Sequence, residues 1–126
     1  MIPSTNSETV LVVDDNEAIR ELLEILLCRD GYRVLSASDG PKALRLARAT
    51  PGIDLLLSDL DMPGMRGDEL ARHFVRVHPT ARVAFVSSDG GPPEDTPDAE
   101  FLAKPFTAGE LRSTVHRALR GREEVA

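Results

Sequence analysis

The feature that most restricts this chain is an unbroken apolar run, Leu55, Leu56 and Leu57, that gives way to Ser58 and two carboxylates, Asp59 and Asp61. A run without polar alternation suits a strand covered on both faces of a sheet, since an open face would call for polar residues at every second position. Pro63, Gly64 and Gly67 then force a loop before a helical pattern begins at Asp68. The segment reads as a central parallel strand over 53–58, with charge at its carboxyl end, where open α/β sheets place their chemistry. A solvated turn that happens to carry two acids is the plain alternative, and the other segments decide between them.

The same design recurs along the chain. Val10 to Val13 is a second apolar run, and it too ends in carboxylates, Asp14 and Asp15. Asn16 or Asp15 can cap the helix that follows, and Glu17 suits its first turn. Ile19, Leu22, Leu23 and Leu26 recur at helical spacing, and Gly31 is placed to end the helix. Cys28 falls in this pattern and reads as a small core or boundary residue rather than a nucleophile. Arg33 to Ala37 forms a short strand, and Gly40 and Pro41 open a helix whose inner face is Ala43, Leu44 and Ala47. After the Asp59 loop, Leu70, Phe74 and Val77 mark a third helix, closed by His78 and Pro79. Val83 to Val86 is a fourth strand running into Ser87, Ser88 and Asp89. Phe101 to Ala103 is a fifth, ending at Lys104 and Pro105. Thr107 and Glu110 form a capping box for a last helix carrying Leu111, Val115, Ala118 and Leu119.

Alternating strands and helices with buried strands imply an α/β fold, a doubly wound five-stranded parallel sheet with helices on both faces. A length of 126 residues suits a single domain, here expected over residues 9–121 with flexible tails at 1–8 and 122–126 and no linker to a second unit. The net charge of −6 argues against non-specific binding to nucleic acid or to an anionic membrane. One cysteine precludes an intramolecular disulfide and fits a reducing compartment. No targeting segment and no run long enough to span a bilayer is evident, so the expected address is the cytoplasm.

Four strands thus end in reactive polar residues: Asp14 and Asp15, Asp59, Ser87, and Lys104. In a doubly wound sheet these ends converge. Three carboxylates in one crevice repel one another and need a counter-charge. Mg²⁺ supplies one, since it takes oxygen ligands, keeps several waters and bridges to phosphate. A lysine beside it is a point charge suited to a phosphoryl group. The set has the makings of a site where a carboxylate accepts a phosphoryl group with help from a metal and a cation. His73, His78 and His116 show no ligand spacing and read as surface or boundary residues.

With these residues in place, the chain resembles the receiver domains of bacterial two-component response regulators, the CheY-like family. The resemblance runs from about Val10 to Leu119 and rests on four motifs together. They are the Val12-Val13-Asp14-Asp15 strand end, the Ser58 to Gly67 loop around Asp59, the Val86-Ser87-Ser88 strand end, and Lys104-Pro105-Phe106. It implies a flavodoxin-like sheet of order 2-1-3-4-5 and a phosphoacceptor at Asp59, phosphorylated by the phosphohistidine of a partner histidine kinase or its phosphotransfer domain. It further implies Mg²⁺ held by Asp15, Asp59 and the backbone carbonyl of Asp61, with Asp14 acting through water. Lys104 would pair with Asp59 or its phosphoryl oxygens, Ser87 would hydrogen-bond the phosphoryl group, and Phe101 would be the aromatic switch residue. Pro105 would follow a cis peptide. The plain readings are that Asp14 and Asp15 only cap a helix, Ser87 is a turn serine, Lys104 is a solvated cation and Phe101 is ordinary core.

The chain departs from the family between Ser87 and Lys104, a segment several residues shorter than usual and carrying Pro92, Pro93 and Pro97. Proline inside a helix costs about 3 kcal/mol, so the fourth helix is expected to be short, distorted or absent. That puts dimerisation through this face in doubt and favours a monomer or weak dimer, as the receiver of a hybrid sensor kinase or a stand-alone regulator. Output would be protein contact or phosphoryl relay, without direct nucleic-acid or membrane binding. Asp61 and Asp89 flank the site and bear on phosphoryl lifetime. Rival functions are a pseudo-receiver that binds partners without taking phosphate and a phosphatase of the haloacid dehalogenase type, suggested by Asp59 and Asp61. The latter lacks its usual residue, since Pro63 stands there. A dinucleotide or flavin binder would need a glycine-rich turn where Asp14 and Asp15 stand.

Overall fold

The computed structural model describes residues 8–88, 93 and 98–120. Its elements alternate: β1 (Thr9–Val13), α1 (Glu17–Arg29), β2 (Arg33–Ala37), α2 (Gly40–Ala49), β3 (Leu55–Asp59), α3 (Gly67–Val77), β4 (Arg82–Ser87), β5 (Glu100–Ala103) and α4 (Ala108–Arg120). The five strands form one parallel sheet in the order β2-β1-β3-β4-β5. This is the doubly wound arrangement expected from the alternation.

Strand pleating sorts the side chains into two cores. Leu11, Val13 and Leu56 point to one face, where Ala43 and Leu44 of α2 and Leu70 and Phe74 of α3 cover them. Val10, Val12, Leu55 and Leu57 point to the other, under Leu23 and Leu27 of α1 and Leu111 and Val115 of α4. All five residues of β3 are buried, the consequence of its central place in the sheet.

Local signals act as their chemistry dictates. The Asn16 side chain caps α1 by accepting from the Ile19 N–H, and Asp39 caps α2 by accepting from Lys42 N–H. Thr107 and Glu110 satisfy each other's backbone N–H groups at 3.0 and 2.9 Å, closing the expected capping box. Gly31 follows α1 with φ of 95°, the left-handed conformation that glycine adopts freely. His78 is a boundary residue, its ring stacked on Phe74 and its Nε2 2.9 Å from the Ala47 carbonyl oxygen.

Three readings need correction. On α1, Ile19, Leu23 and Leu26 pack inward as expected and Leu27 joins them, while Leu22 is 42% exposed and leaves the expected seam. Cys28 is exposed rather than core or boundary. The central strand starts at Leu55 and runs through Asp59, because Leu60 N–H still donates to the Val86 carbonyl beside it.

The fourth helix in chain order, α4, is present and fully formed after β5. The helix expected to be short, distorted or absent between β4 and β5 falls on residues 89–92 and 94–97, outside the described residues, as does Asp89. Of the expected tails, residues 1–7 and 122–126 also lie outside them, whereas Glu8 is described and pairs with Arg120 at 2.9 Å. Among the described residues no helix is long and apolar enough to cross a membrane.

Candidate functional site

The sheet order sets β1 and β3 side by side at its centre, with β4 next, so the ends of these strands open on one crevice. Asp59 is the last residue of β3, in register with Val86 of β4. Asp14 and Asp15 follow β1 directly, and Ser87 closes β4. Lys104 follows β5, its backbone N–H donating to the Ser87 carbonyl at 2.9 Å. Its side chain thereby reaches across β4 toward the acids.

Asp14, Asp15 and Asp59 each bring a carboxylate oxygen within 4.8 Å of the others. Asp14 is wholly buried and well partnered: one oxygen accepts from the Asn16 N–H at 2.9 Å, the other from Lys104 Nζ at 3.2 Å. Arg20 ties down the same residue by donating to its carbonyl oxygen at 2.8 Å. Asp59, 5% exposed, is held more loosely, by the Asp61 N–H at 3.3 Å and Lys104 Nζ at 3.5 Å on the same Oδ1. Burial and then the neighbouring Asp14 charge push its carboxyl from 3.8 up to about 6, against the pull of Lys104 and the Asp61 N–H, with Asp15 adding to the rise.

Two backbone features keep this strand end in place. The Ser58 hydroxyl donates to the Asp59 carbonyl at 2.9 Å. Gly67 packs so closely that a Cβ there would fall 2.2 Å from the Asp59 carbonyl oxygen, which only a glycine allows. The peptide between Lys104 and Pro105 is cis, as the resemblance implied.

Asp14, Asp15, Asp59, Asp61, Ser87 and Lys104 therefore meet, with two differences from the expected pairing. Lys104 is shared between Asp14 and Asp59 rather than paired with Asp59 alone. Ser87 is buried and donates its hydroxyl to the Asp61 side chain at 2.7 Å. Asp61 thus contributes through its side chain as well as its main chain, and its bond to Ser87 is a pairing the sequence did not suggest. Phe101 is half-buried against the α2/α3 core. The donor set suits Mg²⁺: three carboxylates, all oxygen, in a crevice whose single ammonium leaves Asp59 short of counter-charge.

Comparison with known proteins gives this arrangement a context. A family model described as the response regulator receiver domain matches residues 10–116. The response regulator receiver protein CpdR of Brucella abortus is 31% identical over 115 residues, which are 87% of this chain and 95% of that protein. The uncharacterized transcriptional regulatory protein YrkP of Bacillus subtilis is 35% identical over 88% of this chain, but the chain spans only 49% of its length. Among solved structures, the receiver domain from the hybrid histidine kinase CckA aligns with a TM-score of 0.78 and 36% identity, over 88% of this chain and 98% of that one.

Proposed function

The chain belongs to the response regulator receiver domain family, the receiver component of two-component systems, and from that premise we propose that Asp59 is its phosphoacceptor. The observation that carries this reading is the state of Asp59, a buried carboxylate at the end of the central strand, opposed by two other acids and one shared ammonium. An Asp59 carboxylate oxygen attacks the phosphorus of a phosphohistidine on a partner histidine kinase or its phosphotransfer domain. The new bond is P–O, the bond broken is P–N, and the imidazole leaves with that electron pair. Lys104 needs little movement to meet the phosphoryl oxygens, since its Nζ already faces the acceptor oxygen.

Mg²⁺, held by Asp15, Asp59 and the Asp61 backbone carbonyl with Asp14 acting through water, would neutralise charge on the transferring group. Ser87 then donates its hydroxyl to the acyl phosphate, and Phe101 turns inward as the surface around β4 and β5 shifts. The output is protein contact or onward relay of the phosphoryl group, from a monomer or weak dimer. Receivers of this kind are not usually counted as enzymes, because the phosphoryl group ends on the protein itself.

Intact mass after incubation with acetyl phosphate and Mg²⁺ tests the reading. The wild type should gain one phosphoryl group, and neither Asp59→Asn nor the wild type with EDTA should gain any. A gain that survives in Asp59→Asn would remove Asp59 from its role. No gain, together with no binding of beryllofluoride, would make the chain a pseudo-receiver.

A further inference from the structure

The Ser87 hydroxyl does not wait for its proposed partner with its proton unassigned. It donates at 2.7 Å to Asp61 Oδ2, a carboxylate that is not the acceptor. The other oxygen of Asp61 is held by Arg66 Nη1 at 3.3 Å, and Arg66 Nε reaches Asp68 Oδ1 at 3.3 Å. Asp61 is tied to the acceptor as well, since its backbone N–H donates to Asp59 Oδ1. One short loop therefore reaches the acceptor through its main chain and the switch hydroxyl through its side chain.

A serine hydroxyl has a single proton. It can be given to Asp61 or to a phosphoryl oxygen on Asp59, not to both. Both acceptors are anionic, so each bond is of the stronger, charge-assisted kind. We propose that the Arg66–Asp61–Ser87 chain is a latch on the resting state: Asp61 competes with the acyl phosphate for the Ser87 proton, and Arg66 positions Asp61 to do so. This rests on the reading of Asp59 as phosphoacceptor and Ser87 as its responder. In the latch Asp61 and Arg66 are positioning residues; neither touches the transferred group through its side chain.

The latch has a consequence for how readily the switch is thrown. Breaking the Ser87–Asp61 bond is part of the cost of activation, so a weaker latch raises the apparent affinity for any phosphoryl group or mimic on Asp59. Asp61 is about half-exposed, which limits the strength of its hold. Its removal should therefore act by roughly fivefold to tenfold rather than by orders of magnitude.

Two measurements decide the matter. The first needs no phosphoryl group: NMR coupling constants across the Ser87 χ1 bond in the metal-free protein. A single rotamer in the wild type, averaging among rotamers in Asp61→Ala and recovered in part by Asp61→Asn, is the expected result. Free averaging in the wild type would overturn the latch whatever the fate of Asp59. The second is beryllofluoride affinity with Mg²⁺ in a double-mutant cycle of Asp61→Ala and Ser87→Ala. Asp61→Ala should tighten binding roughly fivefold to tenfold when Ser87 is present and by less than about twofold when it is alanine. An equal gain in both backgrounds would show that Asp61 acts by its charge alone and would overturn the proposal. Absence of binding to the wild type would count against the acceptor reading instead, leaving the rotamer measurement to judge the latch.

Discussion

β3 is flanked by two carboxylates, Asp54 just before its first residue and Asp59 as its last, and they are treated in opposite ways. At the amino end, Asp54 is a stitch. Its side chain accepts from Thr9 N–H at 2.9 Å, its own N–H donates to the Thr9 carbonyl, and its carbonyl accepts from Arg82 N–H. Its N–H, its carbonyl and one carboxylate oxygen all bond to the strands on either side. At the carboxyl end, burial and then the neighbouring Asp14 charge raise the Asp59 pKa to about 6, with contacts of 3.3 and 3.5 Å in place of 2.9 Å. One end of the strand builds stability, and the other gives some of it up to keep a carboxylate among acids in a buried place.

The sharpest way to break this comparison is Asp59→Asn. The wild-type folded chain binds the Asp59 proton more tightly than the unfolded chain does, so its stability falls as pH rises between about 4 and 6. Above that window the difference between 3.8 and about 6 is worth up to about 3 kcal/mol. Asp59→Asn should therefore be more stable than wild type by up to that amount in urea unfolding at pH 7 with EDTA. The gain should shrink toward pH 4. A variant less stable than wild type at pH 7 would mean that Asp59 is as well satisfied as Asp54.

Gly67→Ala comes next. A methyl group driven toward the Asp59 carbonyl must displace either the end of β3 or the start of α3, at a cost of roughly 2 kcal/mol. The loss should appear in the same urea titration and be accompanied by slower uptake of phosphoryl groups from acetyl phosphate. Unchanged stability would show that the strand end is pliable.

Asp54→Ala should have the smallest effect, a destabilisation of about 1 kcal/mol from one lost hydrogen bond to backbone, with phosphoryl uptake unaltered. Altered uptake would show that the two ends of the strand are coupled, and the contrast between them would fail.

How much of this was legible in the sequence follows from the range of each signal. Strand ends that stop on Asp14, Asp15, Asp59 and Lys104 are local patterns, so the acids and the lysine could be named as one group once the alternation implied a doubly wound sheet. The caps at Asn16 and Thr107 are local too. The Ser87 bond to Asp61 spans 26 residues and depends on side-chain direction, which no spacing rule encodes. The role of Asp54 leaves no local signal, since its partners Thr9 and Arg82 lie on other strands. In the sequence Gly67 signals only a break in regular structure, whereas its role is to let two backbones meet. On α1 the leucine-rich pattern allowed more than one inner face, and contact with the sheet chose Leu23 and Leu27 over Leu22.

The bond between Lys104 and Asp14 joins residues 90 positions apart, across the order in which the chain is made. During synthesis the three acids emerge long before the lysine, and β5, which carries it into place, occupies the far edge of the sheet. The pocket is therefore completed only when the last strand docks. Loss of β5 from the sheet edge would leave Asp14 and Asp59 without the Lys104 ammonium, so the charge balance of a central pocket depends on the pairing of an outermost strand.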